Sequence, residues 1–181
     1  MRRFLPTALA TIALLIAASA AATTVIGASI AELAHSADVI LYGVVRNVDA
    51  ELAKTPDGPF RTAIEVEVLE PLKGLNKDQP ILSLLIPGGR GFGRVMHIPG
   101  MPQLQEGEEV ILLLEETALS YAFAGLGQGV FRIDRSRGEP RAWRDLSGMR
   151  LVGKKTELVE PTLGALLDYL RPFGQPTGGD R

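Results

Sequence analysis

Apolar and polar positions divide the chain into one apolar run at the start, a series of short β-type segments, and two helical stripes. In SIAELAHSAD, Ser29 and Glu32 have capping-box spacing and Ile30, Leu33 and Ala34 share a face, which predicts a short helix from about Ile30 to Ser36. DVILYGVVRNVDAEL is rich in β-branched residues. Its front half is continuously apolar and its back half alternates, as in a long strand covered on both faces at one end only. The preceding helix is the expected cover. After the turn cluster KTPDGP, FRTAIEVEVLEPLKG sets Ile64, Val66 and Val68 on one face and Glu65 and Glu67 on the other, predicting a half-buried antiparallel strand. PILSLLIP, EGEEVILLLEE, LSYAFAG and QGVFRID continue at the short spacing of all-β domains. Past Ser136 the pattern weakens to RAWRD and MRLVG, and then Leu163, Leu166, Leu167 and Leu170 predict an amphipathic helix near Thr162 to Leu170.

These elements predict a mainly β fold: a small antiparallel OB-like barrel with a short N-terminal helix and a C-terminal amphipathic helix. The helices bracket the strands and do not alternate with them, which argues against a doubly wound parallel sheet. The first apolar run, MRRFLPTALATIALLIAASAAA, has a basic start at Arg2 and Arg3, an apolar centre from Leu9 to Ile16, and small residues from Ala17 to Ala22. That is the pattern of a secretory signal peptide over residues 1–22, cleaved between about Ala20 and Thr23. Its apolar centre is shorter than the roughly 20 residues that span a bilayer. No cysteine follows it to carry a lipid. The expected organisation is therefore a signal peptide, a single domain over residues 23–172, and a flexible tail over 173–181.

Composition narrows the partners. Removing residues 1–22 takes away two arginines and no acid, shifting the net charge from −2 to −4 and leaving 159 of 181 residues. That length buries a sizeable core. The chain has no cysteine, so a domain exported to an oxidising compartment must hold together by packing alone. Net acidity and 6% aromatics argue against nucleic-acid binding, which needs clustered cations and stacking rings. The expected partner is a protein, peptide or envelope component, with no cofactor and no transmembrane segment in the mature chain.

The succession ADVILYGVV, IEVEVLEPLKG, LLIPGG, IPGMPQLQEGEEVILLLEE and YAFAGLGQGVFRI resembles a widespread group of uncharacterised exported bacterial proteins. In that group LKG, PGG, PG-P, GE-V-L-L and G-x-x-x-G-x-F segments recur in this order. The resemblance covers roughly residues 37 to 134, and its specificity lies in the order of the segments. It implies export and a barrel similar to the OB-type fold of the tissue inhibitors of metalloproteinases. The cysteines of those inhibitors, including the N-terminal one that reaches the protease metal, have no counterpart in this chain. No catalytic residue carries over.

Candidate chemistry concentrates in PGGRGFGRVMHIPGMP, Pro87 to Pro102. Gly89, Gly91 and Gly93 give the permissive backbone of a phosphate cradle, but Ile98-Pro99-Gly100 blocks the helix such a cradle needs. Export likewise weighs against GMRLVGKKT, where Lys155 stands at the magnesium-binding position of a P-loop. Arg90, Arg94 and His97 have the chemistry of an anion-binding cluster. On a plainly extended segment the two arginines share a face and His97 lies on the other, so convergence requires a turn or bulge. Glu65 and Glu67 read as a solvated strand face, and Glu106, Glu108, Glu109, Glu115 and Glu116 as charged flanks of an apolar strand. Zinc catalysis needs typically three protein ligands, and the chain offers only His35 and His97 without thiols. A serine hydrolase requires Ser83 or Ser120 to meet His97, and neither serine lies in a nucleophile-elbow motif. His35 reads as a cap or surface residue.

The leading expectation is an exported, non-catalytic binding or scaffold module. It presents a Gly/Arg-rich loop in which Arg90, Phe92, Arg94, Met96, His97 and Met101 contact the partner. The alternatives are a hydrolase with an unmarked site around His97 and a protease-inhibitor-like module.

Overall fold

The computed structural model describes residues 23–52, 55, 57–153 and 160–175. The predicted signal peptide and the Lys154-to-Thr156 end of the P-loop-like segment lie outside them.

The chain runs β1 (Thr23–Gly27), α1 (Ile30–Ser36), β2 (Val39–Asp49), β3 (Arg61–Lys73), β4 (Ile81–Pro87), β5 (Gly89–Gly91) and β6 (Arg94–Met96). It continues through β7 (Glu109–Glu116), β8 (Tyr121–Phe123), β9 (Val130–Asp134), β10 (Arg141–Trp143), β11 (Met149–Gly153) and α2 (Leu163–Leu170). The large sheet is antiparallel and ordered β10-β9-β7-β2-β3-β4, and β8 pairs with β7 further along the edge that also carries β9. The described residues are thus mainly β with two α-helices. Among the described residues no strand ladder joins β4 to the opposite end of the sheet; a bond from the Leu85 N–H to Ser120 Oγ, 2.9 Å, ties β4 to the turn before β8.

Both faces of this sheet are covered. On one face Val39, Leu41 and Val45 of β2 pack with Ile64 and Val66 of β3, Leu82, Leu84 and Ile86 of β4, and Val110, Leu112 and Leu114 of β7. On the other, Ile40, Ile111, Leu113 and Phe131 meet Leu33 and Ala34 of α1 and Leu166, Leu167 and Leu170 of α2. Double coverage is why EVILLLEE is apolar without alternation.

The segments that carry the resemblance meet definite backbone needs. In LKG, Leu72 is buried under the helices, and Lys73 Nζ donates to the last carbonyls of α1, Ala34 at 3.0 Å and His35 at 3.3 Å. Gly74 has φ +71°, and a Cβ there would overlap the Asp38 carbonyl. In YAFAGLGQGVF, the Gln128 side chain is wholly buried. It accepts from the Ala28 N–H at 2.9 Å and donates to the carbonyls of Ile26 at 3.1 Å and Gly125 at 3.3 Å. The motif therefore fastens the first strand to the body of the protein.

That first strand is absent from the apolar pattern. β1 pairs in parallel with β11, from Thr23 opposite Met149 to Gly27 opposite Gly153. The sequence pattern does not find it because Thr-Thr-Val-Ile-Gly is too short to show a period. The chain end also differs from expectation. Residue 173, assigned to a tail, lies in a 3-10 turn spanning Arg171–Gly174, and the Phe173 ring meets His35 edge-on at 4.9 Å. Arg171 grips Glu70 of β3 through two bonds, 2.8 and 3.2 Å, and fixes the turn to the sheet.

Candidate functional site

The segment singled out in the sequence is a β-hairpin and a turn. β5 and β6 pair with Arg90 opposite Val95 and Gly91 opposite Arg94. The connecting residues Phe92 and Gly93 both have positive φ, +50° and +69°, as a type I′ hairpin turn requires. Glycine or asparagine normally sits at the first of these positions. A bulky side chain there is a backbone outlier, and Phe92 is 55% exposed at the tip.

The base of the hairpin is pinned to the residue after β2, the residue before β3 and the start of β3. The Gly88 N–H donates to Phe60 O at 3.0 Å, the Arg90 N–H to Ala50 O at 2.7 Å, and the Thr62 hydroxyl to Gly88 O at 3.0 Å. Gly89 must be glycine, because a Cβ would stand 2.5 Å from Ala50 O and 2.9 Å from Arg61 O. After β6, Ile98-Pro99-Gly100-Met101 makes a type II turn: Gly100 has φ +83° and the Met101 N–H returns to Ile98 O at 3.0 Å. The Gly100 carbonyl accepts from the Gly127 N–H at 3.2 Å, and Pro99 O from the Thr23 hydroxyl at 2.7 Å. PG-P and the glycine-rich β8–β9 connection thus brace each other.

Between this folded segment and the sheet lies a cavity of about 330 Å³. Its lining includes Val48 of β2, Thr62 and Ile64 of β3, Val95 of β6, and Leu104 after the turn. This volume is at the lower end of the roughly 300–1,000 Å³ of small-molecule sites.

Of the six predicted contact residues, Arg90, Met96, His97 and Met101 line the cavity, whereas Phe92 and Arg94 do not. The hairpin turn puts the two arginines on opposite faces, since Arg90 shares a face with Val95 and Arg94 with Gly91. Arg90 Nε lies 3.0 Å from Glu51 Oε1, and Arg94 reaches Asp57 at 3.9 Å. The arginines therefore engage separate carboxylates of the β2–β3 connection and do not form one anion cradle with His97. His97 Nδ1 stands 2.9 Å from the Gln103 side-chain amide. The Gln103 carbonyl accepts from Arg132 at 2.8 Å, and Arg132 Nε is 3.2 Å from Glu108 Oε1. Thr62, Gln103 and the apolar walls were not legible as site residues, because nothing local in a strand reveals which end a distant loop will cover.

Other candidates resolve into structure. Ser120 Oγ accepts the Leu85 N–H and serves as a staple between strands. Glu67 pairs with Arg46 across β2 and β3. On the far side of the sheet, Glu109 takes two bonds from Arg135, at 2.8 and 2.9 Å, and one from the Tyr42 hydroxyl at 2.8 Å. The Arg135 hydrogen bond holds the Glu109 carboxyl below its ordinary range. Burial and that carboxylate push the Tyr42 phenol up. Among the described residues no group of three His, Cys, Asp or Glu side chains is placed to hold a metal, and no helix is long and apolar enough to cross a membrane. Comparison with protein-family models, curated proteins and solved structures finds no match.

Proposed function

We propose that the protein is an exported binding module whose recognition surface is the β5–β6 hairpin together with the cavity it roofs. The observation that carries this is Phe92. A phenylalanine held at φ +50° and exposed at the tip of a pinned hairpin is a local cost without a local packing benefit, which is typical of contact surfaces. Beside it, Val95 is 78% exposed and Met96 45%, so the hairpin offers a small apolar edge flanked by Arg90 and Arg94. Such a mixture suits a peptide or a protein of the cell envelope. Export rests on the N-terminal pattern of a basic start, an apolar centre and small residues. The OB-like barrel belongs to the same proposal, supported by the long twisted pair β2–β3, with its three register irregularities, and by the Leu85–Ser120 tie.

The test is capture from an envelope fraction by the purified protein and by a variant in which residues 90–95 are replaced by a two-residue Asn-Gly turn. Loss of the partners captured by wild type, with the thermal transition retained, is the expected result. Equal capture by a folded, hairpin-shortened variant would discard the proposal.

A further inference from the structure

The β5–β6 hairpin has two outer edges, and they are treated differently. With a two-residue turn at Phe92-Gly93, Gly91 and Arg94 exchange backbone bonds, as do Gly89 and Met96. Arg90 and Val95, paired between them, therefore direct their N–H and C=O groups away from each other. Arg90 uses this direction to reach the body of the protein, its N–H donating to Ala50 O at 2.7 Å. Among the described residues the N–H and C=O of Val95 meet no partner, and β6 ladders with β5 alone. All three residues of β6 are exposed. At the free end of the large sheet, by contrast, the Leu85 N–H of β4 is taken by Ser120 and Pro87 has no N–H to offer. The open backbone of β6 is a template for one more strand.

We propose that the β6 edge receives an extended peptide segment without net charge as a third strand, one residue of which exchanges two backbone bonds with Val95 and sets an apolar side chain into the cavity. A residue paired with Val95 turns its side chain to the same face as Val95, which lines the cavity. The cavity opens on that side, since Val95 lines it and is still 78% exposed, and its other walls include the buried Ile64 and Leu104. Main-chain bonds then supply affinity, and the cavity selects the side chain. The charges at the rim cancel, Arg90 against Glu51 at 3.0 Å and Arg94 against Asp57 at 3.9 Å, which suits a segment of no net charge. A second copy offering its own β6 would set another Val95 opposite this one, and that side chain already lines a cavity of its own. The inference rests on the recognition-surface reading and names the partner's chemistry.

The experiment selects a random heptapeptide library on the purified full-length protein, then titrates the enriched peptides by fluorescence polarisation. An apolar residue at one fixed position is expected, and N-methylation of that residue's backbone should weaken binding about tenfold or more. Val95→Pro removes the edge N–H without removing a β5–β6 bond and should weaken binding about tenfold, whereas Val95→Thr keeps the N–H and stays within about twofold. Hydrogen exchange at the Val95 amide should slow when peptide is bound. Failure of the library to enrich any peptide, full-strength binding of the N-methylated peptide, or equal binding by folded Val95→Pro overturns strand addition. A dimer of the protein that Val95→Pro dissolves overturns it too, because the edge then belongs to a second copy. If Val95→Pro still captures the envelope partners that the shortened hairpin loses, the module reading stands without strand addition.

Discussion

At the scale of single residues, Phe92 opposes local preference. An L-residue in the left-handed region is disfavoured by about 1–2 kcal/mol, and asparagine tolerates that region better. Phe92→Asn creates the favoured Asn-Gly type I′ turn, so the variant should be more stable than wild type by about 1 kcal/mol. Calorimetry should show Tm rising by about 3 °C, while capture of envelope partners falls. A variant that gains stability and keeps full capture would mean that the ring is not a contact. Glycine placement at the hairpin base was legible as a loop signal, but its cause was not. Gly89 is required by the approach of two carbonyls, of Ala50 just after β2 and of Arg61 at the start of β3, 28 or more positions earlier in the chain.

At the scale of elements, capping residues were readable because they act within one turn. Ser29 and Glu32 form the expected capping box, and Thr162 caps α2 by accepting from the Ala165 N–H at 3.3 Å. Pairings between short strands were not readable, since β5, β6, β8 and β10 have three residues each and show no period. Neighbouring strands also set the pH response. The Glu109 carboxyl on β7 is depressed below the ordinary value of 4.5 chiefly by the Arg135 hydrogen bond. Between its folded value and 4.5 the unfolded chain binds more protons, so the stabilisation is fully present above 4.5 and is lost as pH falls through the folded value. Glu109→Gln should therefore flatten the acid limb of the Tm-against-pH curve and change little at neutral pH relative to that limb. An unchanged slope below pH 4.5 would remove Glu109 from the acid response.

At the scale of the whole molecule, one sheet separates two cores, and β2 and β7 contribute to both. Leu112 and Leu113 are adjacent in sequence and fully buried on opposite sides. Leu112→Ala and Leu113→Ala should each cost about 2–5 kcal/mol, where an ordinary half-exposed strand would tolerate one of them. Denaturant melts of the two variants check this; a near-wild-type midpoint for Leu113→Ala would mean that the helices do not seal that face. The sheet and both helices were legible because burial on two faces leaves an unbroken apolar run and burial on one leaves alternation. The cavity was not legible, because it forms where a loop after β4 crosses the ends of β2 and β3.

The buried Gln128 also orders events in time. It binds Ile26 across 102 positions of chain, and β1 finds its partner strand later still, at Met149–Gly153. Closing so long a loop is slow, and no local contact rewards it beforehand. A chain made from its N-terminus therefore leaves β1 exposed until β11 has been made. During that interval the β1 of a neighbouring molecule can occupy the same groove, so crowding while the chain folds favours strand exchange between copies. Among the described strands the first waits for the last.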